Sequence, residues 1–254
     1  MKSPLRSRRK HSTASFLKTL IPAGSVVDSF LFFSGEVEFS LAASDRFICA
    51  HSSAYVTYEF WECVRQEPAT IMEIVISKPF TNFLNKRIFH ILQETWPFYK
   101  DPYVRSALFF ILNRCSSTGA ISSGDYDPLE FTPIALTNLR KFAIKNFHLQ
   151  WDQGVALEEA IQREGEGEYL LIPLPAFSYN FFQEGKSLGF EEERVDHQKL
   201  KEVLAPLSKK WILTYPFHPA VLHAYKSFNI HMLNKYGNLV EDQTQCEEII
   251  VTNF

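Results

Sequence analysis

Ser25-Val26-Val27-Asp28-Ser29-Phe30-Leu31-Phe32-Phe33-Ser34-Gly35-Glu36-Val37-Glu38-Phe39 holds a complete change of secondary structure. The β-branched and aromatic run from Ser25 to Phe33 predicts a buried strand. Ser34-Gly35 is a turn, and Glu36 to Ala43, acidic at its start, predicts a helix. The alternation then repeats. Arg46 to Ala50 reads as a second strand, followed by a helix from about Ala54 to Gln66 that stops before Pro68. Further on come strand Asn146 to Trp151, helix Val155 to Arg163, the Gly165-Glu166-Gly167 turn and strand Tyr169 to Leu174. Asp196 is placed to cap a helix whose Leu200, Val203, Leu204 and Leu207 follow i, i+3, i+4, i+7 spacing, an inward face. Strand Trp211 to Tyr215, helix Pro219 to Lys226 and strands Phe228 to Lys235 and Glu248 to Phe254 complete the chain. Strands alternating with helices predict an α/β, doubly wound, mostly parallel sheet covered on both faces. No helix separates the last two strands, so they should pair as an antiparallel hairpin.

Between these blocks the pattern changes. Residues 68–133 are helical and loop-rich, and read as a small lobe inserted between a first α/β part, 1–67, and a second, 134–254. Asp101-Pro102 and Thr132-Pro133 each supply a capping side chain followed by proline at the first helical position. The helix from Asp101-Pro102 should run through Leu112, and Gly119 to Pro133, rich in Ser, Gly, Asp and Pro, should be a loop.

With 23 Phe, 10 Tyr and 4 Trp in 254 residues, the chain has far more to bury than a disordered protein carries. The longest purely apolar runs, such as Ala107 to Leu112, are well below the roughly 20 residues that cross a bilayer. The basic N-terminus resembles the start of a signal peptide, but Lys18 and Asp28 break up the apolar core that a signal peptide needs. The expectation is a cytoplasmic protein without a membrane partner. Cys49, Cys63, Cys115 and Cys246 are scattered, and no His pair sits at i, i+4 beside a carboxylate, so neither a disulfide framework nor a zinc site is expected. The net charge of −3 hides an asymmetry. Residues 1–18 carry Lys2, Arg6, Arg8, Arg9, Lys10 and Lys18 with no acid, leaving the remainder at −9. A phosphate-binding surface would be confined to that basic edge.

The order of elements and several local strings resemble the DNA adenine methylases of the Dam type, which transfer a methyl group from S-adenosylmethionine to the exocyclic amine of adenine. The strings are Ser3-Pro4-Leu5-Arg6 with Phe16-Leu17 and Leu20-Ile21-Pro22; Val27-Asp28-Ser29-Phe30 followed by Ser34-Gly35-Glu36-Val37; Ala107 to Arg114 ending in Thr118-Gly119; and Glu248 to Phe254. The resemblance implies a Rossmann-like methyltransferase sheet. It sets Asp28, Phe30, Phe33, Ser34, Gly35 and His51 at the cofactor positions, and Asn113, Arg114 and Gly119 near DNA. Arg6, Arg8, Arg9 and Lys10 are the phosphate-binding candidates.

The departures from the family fall where its chemistry lies. Its first glycine is replaced by Phe32 or Phe33, depending on where a one-residue offset is placed, and Gly35 alone survives. A ring there would fill the cofactor's space. The family's Pro-Gly-Gly-Lys near the N-terminus reads Ser7-Arg8-Arg9-Lys10, and its Asn-Asp after the second strand, whose acid accepts from the ribose hydroxyls, reads Ala50-His51. Its Asp-Pro-Pro-Tyr reads Leu174-Pro175-Ala176-Phe177, which keeps an aromatic ring and loses the acceptor for the adenine amine. A missing oriented polar group of this kind costs a catalyst on the order of 10² to 10³ in rate.

No catalytic residue and no cofactor are therefore expected. The leading reading is a catalytically inactive methylase-like protein that binds DNA or a protein partner such as an active methyltransferase or nuclease subunit. An active adenine-specific enzyme using S-adenosylmethionine is the alternative, and a purely structural interaction protein the second. Three other clusters read more simply. Asp125 and Asp127 suit a solvated turn, Glu158, Glu159, Glu164, Glu166 and Glu168 an exposed acidic face, and Tyr215-Pro216-Phe217-His218 a strand end rich in core aromatics.

Overall fold

The computed structural model describes residues 2–6, 13–77, 84–163, 167–174 and 195–254. These divide into a helical unit, from the described residues of 1–8 and 54–144, and a sheet unit, from those of 9–53, 145–184 and 193–254.

The sheet unit holds seven strands: β1 Val26–Ser29, β2 Phe47–Ser52, β3 Phe147–Trp151, β4 Tyr169–Pro173, β5 Lys210–Pro216, β6 Asn229–Leu233 and β7 Glu248–Thr252. Their order is β3-β2-β1-β4-β5-β7-β6. The five strands β3 to β5 of that order are mutually parallel. β7 lies antiparallel between β5 and β6, so the expected terminal hairpin forms and its return strand is also the one that joins the main sheet. Helices α1 Thr13–Leu20 and α2 Glu36–Ala42 come from the first half of this unit, and α8 Leu157–Gln162, α9 His197–Leu204 and α10 Pro219–Ala224 from the second. The fold is mixed α/β with a mostly parallel sheet.

One core cluster shows how the sheet is filled. Leu170, Ile172 and Leu174 alternate along β4 and just past its end, and Trp211, Leu213 and Tyr215 along β5. Ile249 and Val251 from β7 share that layer, as do Ala160 and Ile161 of α8 and Leu200 and Leu204 of α9. The period of two in the strands and the i, i+4 spacing in α9 are what let these side chains meet. Asp196 caps α9 as expected, its carboxylate accepting from the amides of Gln198 and Lys199.

The helical unit carries α3 Tyr55–Gln66, α4 Pro68–Val75, α5 Lys86–Thr95, α6 Pro102–Cys115 and α7 Pro133–Arg140. α6 is its centre, since every residue from Ser106 to Cys115 is buried. Asp101 accepts from the amides of Tyr103 and Val104, and Thr132 from Ala135, so both Pro-preceding caps are real. Pro68 ends α3 and opens α4 at its first turn, which proline tolerates because no intrahelical donor is needed there.

β1 is shorter than the apolar run that predicts it. The ladder continues briefly through the Phe30 amide to the Leu171 carbonyl, but Leu31 turns the chain with φ +57°. β2 is longer than expected and includes His51 and Ser52. That extension places His51 on a strand, on the same face as Cys49.

Within the core, His197 Nδ1 lies 2.9 Å from the Tyr215 hydroxyl, which lies 3.4 Å from that of Tyr225. Burial dominates and pushes the His197 pKa down to about 4, against a smaller opposing pull from Asp196. The folded protein therefore holds a neutral ring where the unfolded chain, with an ordinary pKa near 6.5, binds a proton. This stabilising contribution is complete above pH 6.5 and is lost as the pH falls toward 4, up to roughly 3 kcal/mol in all. Urea unfolding at pH 7 and pH 4.5 should show a smaller acid-induced loss of midpoint in His197→Phe than in the wild type. An equal loss in both would exclude His197 as the source.

Candidate functional site

The sheet face near the C-terminal ends of β1, β2 and β3 carries a compact ionisable group. The register sets Asp28 beside Cys49, and the parallel pairing of β2 with β3 brings His51 level with Gln150, one residue short of the strand-end Trp151. Asp152 follows immediately after β3 and its amide donates to the Ser52 carbonyl. His51 Nδ1 is 3.0 Å from Asp152 Oδ2. Its other nitrogen, Nε2, is buried and stands 3.9 Å from Asp28 Oδ1, within ion-pair range but too far for a hydrogen bond. The ring is stacked on Phe30, with centroids 4.5 Å apart and planes 14° from parallel. Asp28 is held from its other oxygen by the Gly167 amide at 3.1 Å and Lys209 Nζ at 3.2 Å.

These contacts set the charges. Burial opposes ionisation of Asp28, but His51, Lys209 and the Gly167 amide outweigh it and hold the carboxyl below its ordinary range. Burial likewise opposes the imidazolium of His51. The bond to Asp152 and the neighbouring Asp28 outweigh that effect and push its pKa up to about 11. At neutral pH His51 is thus a cation set between two carboxylates.

The residues expected at the cofactor positions fall into two groups. Asp28, Phe30 and His51 belong to this cluster. Gly35, with φ +70°, belongs to a different layer. A methyl group on Gly35 would stand 2.5 Å from Phe39 Cε2 and 2.9 Å from Phe32 Cε2. Phe32, Phe39 and Phe147 form a buried aromatic trio with centroids 5.2 to 6.0 Å apart. The Phe32 ring therefore turns into the core beneath Gly35, between α2 and the sheet, while Phe33 and Ser34 remain half-buried. The close approach that Gly35 permits is taken up by rings of the same chain.

Leu174 is fully buried, its amide donating to the Thr214 carbonyl and its side chain packed in the core with Phe30 and Tyr215. Pro175, Ala176 and Phe177 lie outside the described residues.

The positions that the resemblance sets near DNA come together in the helical unit, facing inward. Asn113 is fully buried. Its oxygen accepts from the Arg6 amide at 2.6 Å, and its amide group donates to the Arg6 and Gly119 carbonyls. The Arg6 guanidinium donates to the Ser116 carbonyl, and Arg114 Nε to the Pro4 carbonyl at 2.6 Å. Asn113 and Arg114 thus clasp Pro4 and Arg6 to the end of α6, with Ser3 to Leu5 buried, Arg6 half-buried and Lys2 exposed. Arg8, Arg9 and Lys10 lie outside the described residues.

The remaining clusters are structural. Asp127 caps a short turn at Leu129, Tyr215 is a core residue, and Glu158 and Glu159 pair with Lys199 and Arg163. Glu164 and Glu166 lie outside the described residues.

Sequence spacing missed two features of the site. Asp152 is an unremarkable acid after a strand, and only the pairing of β2 with β3 brings it to His51. The second is a group of possible ligand atoms that the spacing of Cys and His along the chain does not suggest. Single ligand atoms of Asp28, Cys49 and His51 all lie within 4.8 Å of one another. Cys49-Ala50-His51 alone is too short a motif to signal this, because the third member comes from a neighbouring strand.

No family model matches the chain, and no curated protein matches it. Among solved structures, the precorrin 8w decarboxylase encoded by gene MT0146 of Methanobacterium thermoautotrophicum aligns with 100% of this chain and 96% of its own, at 11% identity and a TM-score of 0.37. That likeness is too distant to carry fold or function.

Proposed function

We propose that this chain is a methyltransferase-type protein that has lost methyl transfer and serves as a DNA-binding subunit. The observation that carries the first half is His51. At the position where the Dam-type methylases have an acid for the ribose hydroxyls, this chain has an imidazolium whose Nδ1 is already engaged by Asp152. A cation with no free acceptor cannot replace a carboxylate toward two hydroxyl donors. Leu174 supports the same reading, being turned into the core where the family has its acceptor for the adenine amine. The mostly parallel sheet with its last two strands paired antiparallel agrees with the α/β framework that the resemblance implies. The second half rests on the basic N-terminal segment, six cations in residues 1–18 with no acid.

Calorimetric titration with millimolar S-adenosylmethionine should give no heat of binding. Micromolar binding accompanied by methylation of adenine-containing DNA would establish the active alternative instead. In the same preparation, duplex DNA should bind with strong salt dependence, and replacement of Arg8, Arg9 and Lys10 by glutamine should weaken that binding equally for all sequences and flatten its salt slope. A full chain that ignores DNA at low salt would leave a purely protein-binding role.

A further inference from the structure

We propose that Asp28, Cys49 and His51 form a binding site for a divalent transition-metal ion of the zinc class, with Asp152 as a positioning residue for His51. The three offer the oxygen, sulfur and nitrogen donors that zinc prefers, and parallel pairing of β1 with β2 holds them on one sheet face.

Two features point to a ligand there. First, His51 Nε2 is buried with no hydrogen-bond partner, and it points toward Asp28 Oδ1 at 3.9 Å. Tetrahedral zinc with bonds of about 2.0–2.3 Å separates its ligand atoms by roughly 3.3–3.8 Å, so this pair is already close to spacing. The Cys49 sulfur lies within 4.8 Å of both atoms. Second, His51 Nδ1 is bonded to a carboxylate. This is the arrangement that fixes ring orientation and raises the basicity of a metal-bound imidazole. On binding, the ion forms bonds to His51 Nε2, to the Cys49 sulfur and to Asp28 Oδ1, and the protons it displaces from these ligand atoms pass to solvent. A water molecule completes the fourth position. Nothing in this requires methyl transfer or DNA.

The test uses the full chain, stripped of metal with a chelator and dialysed. Zinc chloride, titrated against a chromophoric competitor, should bind at one equivalent with micromolar affinity or better. Cobalt(II) should give a thiolate-to-metal charge-transfer band together with the strong visible bands of a tetrahedral centre. Cys63, Cys115 and Cys246 are buried, so that band reports Cys49. Cys49→Ser should abolish it and weaken zinc binding by about 100-fold or more, and Asp152→Asn should weaken binding by about 10–100-fold. Because Cys49 is half-buried, its serine variant should fold as the wild type does, by circular dichroism. Absence of the thiolate band in the wild type, or zinc binding indifferent to Cys49→Ser, would overturn the proposal. Either result leaves the cofactor and DNA titrations unaffected, so this failure is distinct from failure of the functional reading.

Discussion

Gly35→Ala should lower the unfolding free energy by about 2–5 kcal/mol, the sum of a left-handed backbone and an overfilled core. Gly35 has φ +70°, which an L side chain occupies at a cost of about 1–2 kcal/mol. The added methyl would also meet the Phe39 ring at 2.5 Å. That ring has no room to swing away, because it is fully buried against Phe32 and Phe147. Overpacking of this kind typically costs about 1–3 kcal/mol.

Phe39→Leu removes the far ring atoms and opens the space, so in that background Gly35→Ala should cost only its backbone part. The two changes should therefore be non-additive by more than about 1 kcal/mol in urea denaturation. An equal cost of Gly35→Ala in both backgrounds would show that the ring contact is not the source. The result bears on function. A glycine kept for a nucleotide cofactor would be needed for binding, whereas this one is needed by the chain's own aromatic layer.

The framework was legible where local chemistry decides it. Asp101-Pro102, Thr132-Pro133 and Asp196 mark helix starts because a side-chain acceptor meets orphan amides within three residues, and all three cap as read. The strands β4 and β5 were legible from apolar runs, and β3 from the alternation of Phe147, Leu149 and Trp151 with polar residues. β1 was overextended because Leu31 adopts a conformation that nothing in its composition announces. The site was half legible. Asp28 and His51 stand out only by comparison with the methylases. Their link through Lys209, Gly167 and Asp152 depends on sheet register, which joins residues far apart in sequence. Asn113 shows the converse. The resemblance sets it near DNA, yet the hydrogen bonds it makes to described residues go to the chain's own backbone. Polar type in a sequence does not reveal whether the partner lies outside the molecule or within it.

Leu174→Asp supplies the acidic side chain that the resemblance to the Dam-type methylases leads one to expect at the end of the fourth strand, and it should unfold the sheet unit more readily without creating any methylation. Leu174 is fully buried, in the apolar cluster that also holds Phe30, Val195 and Tyr215. Its loss forfeits about 2–3 kcal/mol of apolar burial before the cost of the carboxyl group is counted. A carboxylate there is desolvated in an apolar layer, so the total should reach about 4 kcal/mol or more at pH 7. Burial raises the carboxyl pKa in the folded state above that of the unfolded chain. The folded variant then binds more protons than the unfolded one, and its deficit should shrink as the pH falls from 7 to 5. Leu174→Ala supplies the control. It should cost about 2–5 kcal/mol by leaving a cavity, with no pH dependence of its own. A deficit in Leu174→Asp that is the same at pH 7 and pH 5 would mean that its carboxylate reaches solvent or a cation, and that the end of β4 opens onto a cleft. Methyl transfer by this variant would go further. It would show that cofactor still binds beside His51, and that the chain lost its chemistry at one residue.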